Sequence, residues 1–232
     1  MPETLTMMAV HAHPDDEASS TGGVLASYSA QGIQTVVVTC TNGEFGDAPG
    51  GIKPGLDGHD EHAVAAHRLA ELRQSCAILG VSHLELPYDD HGPYQHPDHV
   101  HASRAAQAAF ASSGIPAKLY LSAMRGSDWR KVWDALRELG EEAPDFEQMD
   151  PEARRQAAAS EERITTSVDI RSVLNRKRDA LFAHGSQISE SWFSKIPEDI
   201  AEATFGHENF IRASDTTGAP LPEDDLFAGL RA

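Results

Sequence analysis

Two short stretches hold the residues whose types and spacing could do chemistry. In His11-Ala12-His13-Pro14-Asp15-Asp16-Glu17 an imidazole and two carboxylates fall within the four positions from His13 to Asp16, and His96-Pro97-Asp98-His99 supplies two more imidazoles and a carboxylate. Such density is costly to a fold unless a cation sits there. A catalytic zinc site wants three N or O ligands and one open position. His13 and Asp16, with Pro14 fixing a dihedral between them, can converge on one ion, and one of His96 and His99 would complete a His-Asp-His set. Neutral imidazoles and one carboxylate leave the ion a net positive charge, which acidifies bound water and polarises a carbonyl. Asp15, beside a ligand but pointing elsewhere, is the natural general base. The remaining histidine, held by Asp98, could stabilise an oxyanion. A third polar run, His59-Asp60-Glu61-His62, reads instead as the start of a helix with its acidic pair at the N-terminus.

The elements that must position these groups follow from hydrophobic periodicity. Residues 6–10 predict a buried strand, 11–17 a loop, and 22–31 a helix with Val24, Leu25 and Tyr28 on one face and Gly32 closing it. Residues 33–41 are β-branched and nearly all apolar, as in a strand covered on both faces. Strand, helix and strand at this spacing imply a parallel sheet, and the first loop then lies at its carboxyl edge, where open α/β sheets bind ligands. The turn lacks the glycine fingerprint of dinucleotide binding. Residues 42–59 are a long glycine-rich loop from the same edge. A helix runs from Asp60 to about Leu79 with Ala65, Leu69, Leu72, Cys76 and Leu79 in phase, Gly80 ends it, and 81–86 form the next strand.

Beyond that, the pattern predicts a polar loop over 88–101, a helix over 98–112 and a strand over 117–124. Residues 136–163 read as a peripheral acidic helical segment, 164–170 as a late strand, and 171–183 as a helix capped by Gly185. Residues 216–232 read as a loosely held tail. The fold class expected is α/β: a Rossmann-like, mostly parallel sheet flanked by helices with a C-terminal helical and strand extension, all in one domain over 1–232.

The 19 basic and 36 acidic residues among 232 give a formal charge of −17. That excludes nucleic acid and anionic membranes as natural partners, because phosphate contacts need clustered Lys and Arg. No long apolar stretch is present, and Cys40 and Cys76 form no framework, which together suggest a cytoplasmic protein with buried free thiols.

Ala12-His13-Pro14-Asp15-Asp16-Glu17 together with Tyr94-Gln95-His96-Pro97-Asp98-His99 resembles the paired signature of the PIG-L/LmbE-like zinc deacetylases, which include N-acetylglucosaminyl deacetylases and the mycothiol-conjugate amidase. Val36-Val37-Val38-Thr39-Cys40-Thr41-Asn42-Gly43-Glu44, the positions Arg68, Glu71 and Leu79-Gly80-Val81, and Lys177-Arg178-Asp179-Ala180-Leu181 with His184 and Ser186-Gln187 also look like that family. The resemblance implies His13, Asp16 and His99 as metal ligands and Asp15 as general base. It implies His96 and Tyr94 as oxyanion-stabilising groups, Arg68 and Asp90 as sugar contacts, and Glu17 and Asp98 as residues that orient the ligands. One departure stands out. Relatives carry a helix and strand between a first substrate loop and the lead into the second motif, whereas here residues 86–94 serve as both.

The resemblance thus implies a hydrolase dependent on zinc, with iron as the other metal, that removes an acetyl or small acyl group from an N-acyl amino sugar or its conjugate. Its partner would be that small molecule, with no nucleic acid or membrane, and a homo-oligomer is compatible. An amidase of a thiol conjugate or natural-product precursor, and a non-catalytic metal-binding relative, are the alternatives.

Overall fold

The computed structural model describes residues 4–84, 97–143, 148, 155, 158–159, 161–188 and 195–231. In chain order its elements are β1 (Thr6–His11), α1 (Asp16–Ala30), β2 (Gln34–Thr39), α2 (Glu61–Leu79), β3 (Ser82–Leu84), α3 (Pro97–Ser113), β4 (Lys118–Ala123), α4 (Gly126–Glu138), β5 (Thr166–Asp169), α5 (Leu174–Phe182), α6 (Gly185–Ile188), α7 (Glu198–Phe205) and β6 (His207–Asp215), with a 3-10 turn over Arg171–Val173. The residues group into two compact units, Met1–Gly114 with Asn175–Ser191 and Ile115–Leu174 with Trp192–Ala232.

The first unit is built on the expected βαβ arrangement. β1 and β2 pair in parallel from Thr6 opposite Gln34 to His11 opposite Thr39. β3 adds in parallel on the other side of β2, so the sheet order is β1-β2-β3. The β-branched run of β2 supplies the buried Thr35, Val37, Val38 and Thr39. Pairing continues past the strand ends, since the Cys40 and Thr41 amides donate to the His11 and Ala12 carbonyls. That brings the first polar stretch beside the start of the glycine-rich loop.

α1 begins at Asp16, six residues before the expected start at Gly22. Gly22 and Gly23 lie within the helix and do not break it: a Cβ at Gly22 would meet the Lys177 side chain at 3.2 Å and that of Leu79 at 3.7 Å. Glycine there permits close packing of α1 against α2 and α5. α2 starts where Asp60 accepts the Ala63 amide and ends at Gly80 in the left-handed region, as the capping signals predict. Its buried face is more polar than the apolar periodicity implied: Val64, Leu72, Cys76 and Leu79 share it with Arg68, Glu71 and Ser75. Ala65 and Leu69 sit half-buried at its margin. The Arg176 guanidinium from α5 donates to the Ile78 and Leu79 carbonyls at the end of α2, satisfying acceptors that a helix C-terminus leaves unpaired. Gly185 opens the short α6 instead of capping α5.

In the second unit β6 is the central strand of an antiparallel sheet ordered β4-β6-β5. α4, unforeseen in the sequence, buries Val132 and Leu136. The stretch expected to be a loose tail is anchored. Ala219, Leu226 and Phe227 are buried, and the Glu223 backbone pairs with Thr165 and Ser167. The Glu223 carboxylate accepts from Lys118 Nζ (2.5 Å), Tyr120 OH (2.7 Å) and Arg212 (2.9 Å). Local polarity suggested a solvated end, but the charges of β4 and β6 recruit Glu223 inward. Among the described residues no helix is long and apolar enough to cross a membrane.

Candidate active site

At the carboxyl end of β1 the chain turns at Asp15, whose φ is 97°. Among the described residues it is the one non-glycine residue with positive φ. Aspartate tolerates this conformation better than most residues, yet holding it costs about 1–3 kcal/mol and requires support from its surroundings. The support is specific. The Asp15 amide donates to Glu17 Oε2 at 3.0 Å, its carbonyl accepts from Ala18 and Ser19, and its carboxylate accepts from Arg68 at 2.9 Å. In parallel the His13 amide donates to Asp16 Oδ2 at 2.9 Å. The two acids of the first turn of α1 therefore reach back to satisfy amides of the preceding turn, as in a capping box.

Three of the predicted ligands come together. His13 Nδ1 lies 3.6 Å from Asp16 Oδ2, His99 Nε2 lies 3.8 Å from the same oxygen, and one donor atom from each residue fits within 4.8 Å of the others. Ligands about 2.1 Å from a tetrahedral zinc ion are separated by about 3.4 Å, so the His-Asp-His donor set fits such an ion with small adjustments. His13 Nε2 contacts Asp98 Oδ2 at 3.2 Å, leaving Nδ1 toward Asp16. This is the carboxylate–imidazole arrangement that fixes the orientation of a metal-binding histidine. Among the described residues no other group of this kind forms, and the run at 59–62 starts α2 as expected. Asp90, Tyr94 and His96 lie outside the described residues.

The electrostatics separate the adjacent carboxylates. Burial pushes Asp15 up to about 6 against the opposing pull of Arg68. Asp16 is also desolvated, but the hydrogen bond from His13 and the nearby imidazoles of His11 and His99 outweigh that, and it is held below the ordinary carboxylate range. Glu17 behaves likewise, its desolvation overcome by His184 and Ser75. For His13, burial favours the neutral ring, but Asp16 and Asp98 more than compensate and raise it. One acid thus has a proton affinity suited to accepting and returning a proton, next to one that stays ionised.

Arg68 is buried and also donates to the Pro14 and Gly43 carbonyls. A Cβ at Gly43 or Gly46 would overlap its guanidinium, which explains glycine at those two places in the loop. The same loop is fastened by Gln187, whose amide group exchanges hydrogen bonds with the Asp47 backbone. Glu71 accepts from the Ser186 amide and hydroxyl, both at 2.6 Å. Glu17, predicted as an orienting residue, is fully buried; its Oε1 accepts from Ser75 Oγ at 2.5 Å and faces His184 Nε2 at 2.6 Å. His11 Nε2 lies 2.9 Å from Thr21 Oγ1, while its imidazole is still close enough to Asp16 to help hold that carboxylate ionised.

Sequence reasoning missed Ser75 as part of the site and gave His184, Glu71, Ser186 and Gln187 no role beyond family likeness. The available signal was a set of polar residues on the otherwise apolar face of α2, each needing a buried partner.

The family model for PIG-L, GlcNAc-PI de-N-acetylase, matches residues 8–94. A 1D-myo-inositol 2-acetamido-2-deoxy-alpha-D-glucopyranoside deacetylase of Acidothermus cellulolyticus is 30% identical over 278 residues, spanning 97% of this chain and 95% of the relative. A mycothiol S-conjugate amidase of Streptomyces coelicolor is 28% identical over 299 residues, spanning 100% of this chain and 99% of the relative. In fold, the chain is similar to the N,N'-diacetylchitobiose deacetylase of Pyrococcus horikoshii, with a TM-score of 0.57 and 19% identity over 90% of this chain and 84% of that one. The 278-residue alignment is longer than this 232-residue chain, so the Acidothermus relative carries residues that this chain lacks.

Proposed function

This chain belongs to the PIG-L family, and from that premise we propose that it is a zinc-dependent hydrolase removing an acetyl or small acyl group from an N-acyl amino sugar of the N-acetylglucosaminyl type, or from its conjugate. The observation that carries this reading is the Arg68-anchored Asp15 beside the convergent His13, Asp16 and His99. A purely structural ion would need no such spare base.

His13, Asp16 and His99 would hold the zinc ion, which when bound supplies an electrophile for the acyl oxygen and acidifies water. Asp98 orients His13, and Arg68 orients Asp15. Asp15 removes a proton from the attacking water as its oxygen adds to the acyl carbon. It returns that proton to the amine nitrogen as the C–N bond breaks, so a free amine and a carboxylic acid leave. By family likeness His96 and Tyr94 are assigned to the developing negative charge on the acyl oxygen, and Arg68 and Asp90 to the sugar. Arg68 can serve both tasks only through an edge not committed to Asp15 and the loop carbonyls.

The test is amine release from N-acetylglucosaminyl substrates by wild type and Asp15→Ala. Wild-type turnover with a loss of at least about 100-fold in the variant is expected, from the range for general base catalysis. Equal rates would remove Asp15 from the mechanism. The similarity to a mycothiol S-conjugate amidase along the whole chain favours a second reading, cleavage of a thiol conjugate. Faster release from S-conjugated than from unconjugated N-acyl amino sugars would select it.

A further inference from the structure

We infer that His184 is a positioning residue for Asp15, acting through Glu17, an inference that rests on the proposed hydrolase function for its catalytic consequence. His184 lies 167 positions from Glu17, and the side chains of both have no solvent exposure. Glu17 divides its two oxygens between separate tasks. Oε1 takes Ser75 Oγ from α2 and His184 Nε2 from the turn between α5 and α6. Oε2 takes the Asp15 amide. The first pair of contacts fixes the plane of the carboxylate, and that plane decides where the Asp15 amide can sit.

Arg68 holds only the Asp15 side chain and the neighbouring Pro14 and Gly43 carbonyls. The Asp15 backbone, in a conformation with positive φ, has its carbonyl held by the first turn of α1 and its amide held by Glu17. An ionised carboxylate offers acceptors alone, so Nε2 carries the proton that faces it. Among the described residues the buried His184 Nδ1 has no hydrogen-bond partner, so the bonding of the ring is directed through Nε2 to Glu17.

The turn bearing His184 is itself pinned on both sides. Arg176 grips the end of α2, and Ser186 gives its amide and hydroxyl to Glu71. Nothing in this chain of contacts requires His184 to touch His13, Asp16 or His99. Losing it should therefore alter the placement of Asp15 more than the ability of His13, Asp16 and His99 to bind an ion. Loss of such an outer partner typically costs about 10- to 100-fold.

The experiment compares wild type, His184→Ala and His184→Gln, whose amide can still donate to Glu17. Three readouts are taken: steady-state kinetics on an N-acetylglucosaminyl substrate, zinc affinity by titration, and exchange of the Asp15 amide by NMR. For His184→Ala the expected result is a kcat lower by about 10- to 100-fold with KM within about twofold. Zinc affinity should stay within about threefold, and the Asp15 amide should exchange at least about tenfold faster. His184→Gln should recover most of the kcat and the slow exchange. An unchanged kcat, a loss confined to KM, or Gln as impaired as Ala at equal folded fraction would overturn the assignment. If wild type releases no amine, the hydrolase reading fails by itself, and the exchange arm still decides: faster exchange in His184→Ala supports the positioning role, and unchanged exchange refutes it. If His184→Ala does not fold, exchange in His184→Gln decides, slow exchange supporting the role and fast exchange refuting it.

Discussion

Replacing Glu223 by alanine should destabilise the protein sharply, because its carboxylate is the shared acceptor of a buried cationic cluster. The Glu223 and Lys118 side chains are 1% and 3% exposed. Removing one partner of such a pair leaves a desolvated charge and costs about 3–5 kcal/mol. The two cations are not equally affected. Arg212 keeps Asp215 at 3.4 Å, whereas Lys118 retains the neutral Tyr120 hydroxyl at 3.2 Å, so most of the penalty falls on Lys118. At about 2–4 °C per kcal/mol for a chain of this size, the melting temperature should drop by about 6–20 °C. Urea unfolding of wild type, Glu223→Ala and the double variant Lys118→Met with Glu223→Leu measures it, and the double variant should recover most of the loss because no charge is left buried alone.

The pH dependence of the difference follows from the same cluster. Burial pushes the Glu223 carboxyl up, but the bonds from Lys118 and Tyr120 outweigh this and hold it below its ordinary 4.5. A depressed folded value means the stabilisation is complete above that ordinary value and fades as pH falls through the lower one. The gap between wild type and Glu223→Ala should therefore shrink in acid. A single variant within about 0.5 kcal/mol of wild type at neutral pH, inside the range of ordinary surface changes, would refute the anchored C-terminal segment.

Two further outcomes follow from the site. Gly43→Ala combines a side chain at φ 70° with overlap of the Arg68 guanidinium; it should lower stability by at least about 1–2 kcal/mol from the backbone alone and reduce kcat, while Gly50→Ala, at φ 87° in open space, should cost stability without the kinetic loss. Zinc at a concentration of about 100 times its Kd should stabilise the apoprotein by about 2.7 kcal/mol in thermal denaturation, a chelator should reverse it, and His99→Ala should abolish the response; an unaltered response in His99→Ala would remove that residue from the ligand set.

The candidate ligand cluster was legible in two steps: local spacing pointed to His13, Asp16 and one of His96 and His99, and family likeness chose His99, which shares the first turn of α3 with Asp98. The parallel sheet was legible because the β-branched run of β2 has no amphipathic reading. The start of α1 was not, because its first residues follow a left-handed aspartate in place of an ordinary cap, and Gly22-Gly23 reads locally as a break, although close packing against Lys177 and Leu79 keeps it helical. The partnership of His184 with Glu17 was not legible, although His184 belonged to the family likeness, since a histidine gains its meaning from a carboxylate far away in the chain. The anchoring of residues 216–231 was hidden for the same reason: Glu223 alone looks solvated, and only the cations of β4 and β6 make it an interior residue.

The interleaving of the two units has a consequence for the order in which the chain acquires its parts. Unit one is interrupted at Gly114 and resumes at Asn175, so during synthesis the whole of the intervening segment leaves the ribosome before His184 does. The proposed zinc ligands are all made by residue 99 and can meet early, but Glu17 waits for a partner 167 residues downstream. A nascent chain can thus assemble its candidate ion site while Asp15 still lacks the backing that fixes its backbone. Competence for turnover would then arise as one of the last events of folding, timed by closure of the longest loop that the site contains.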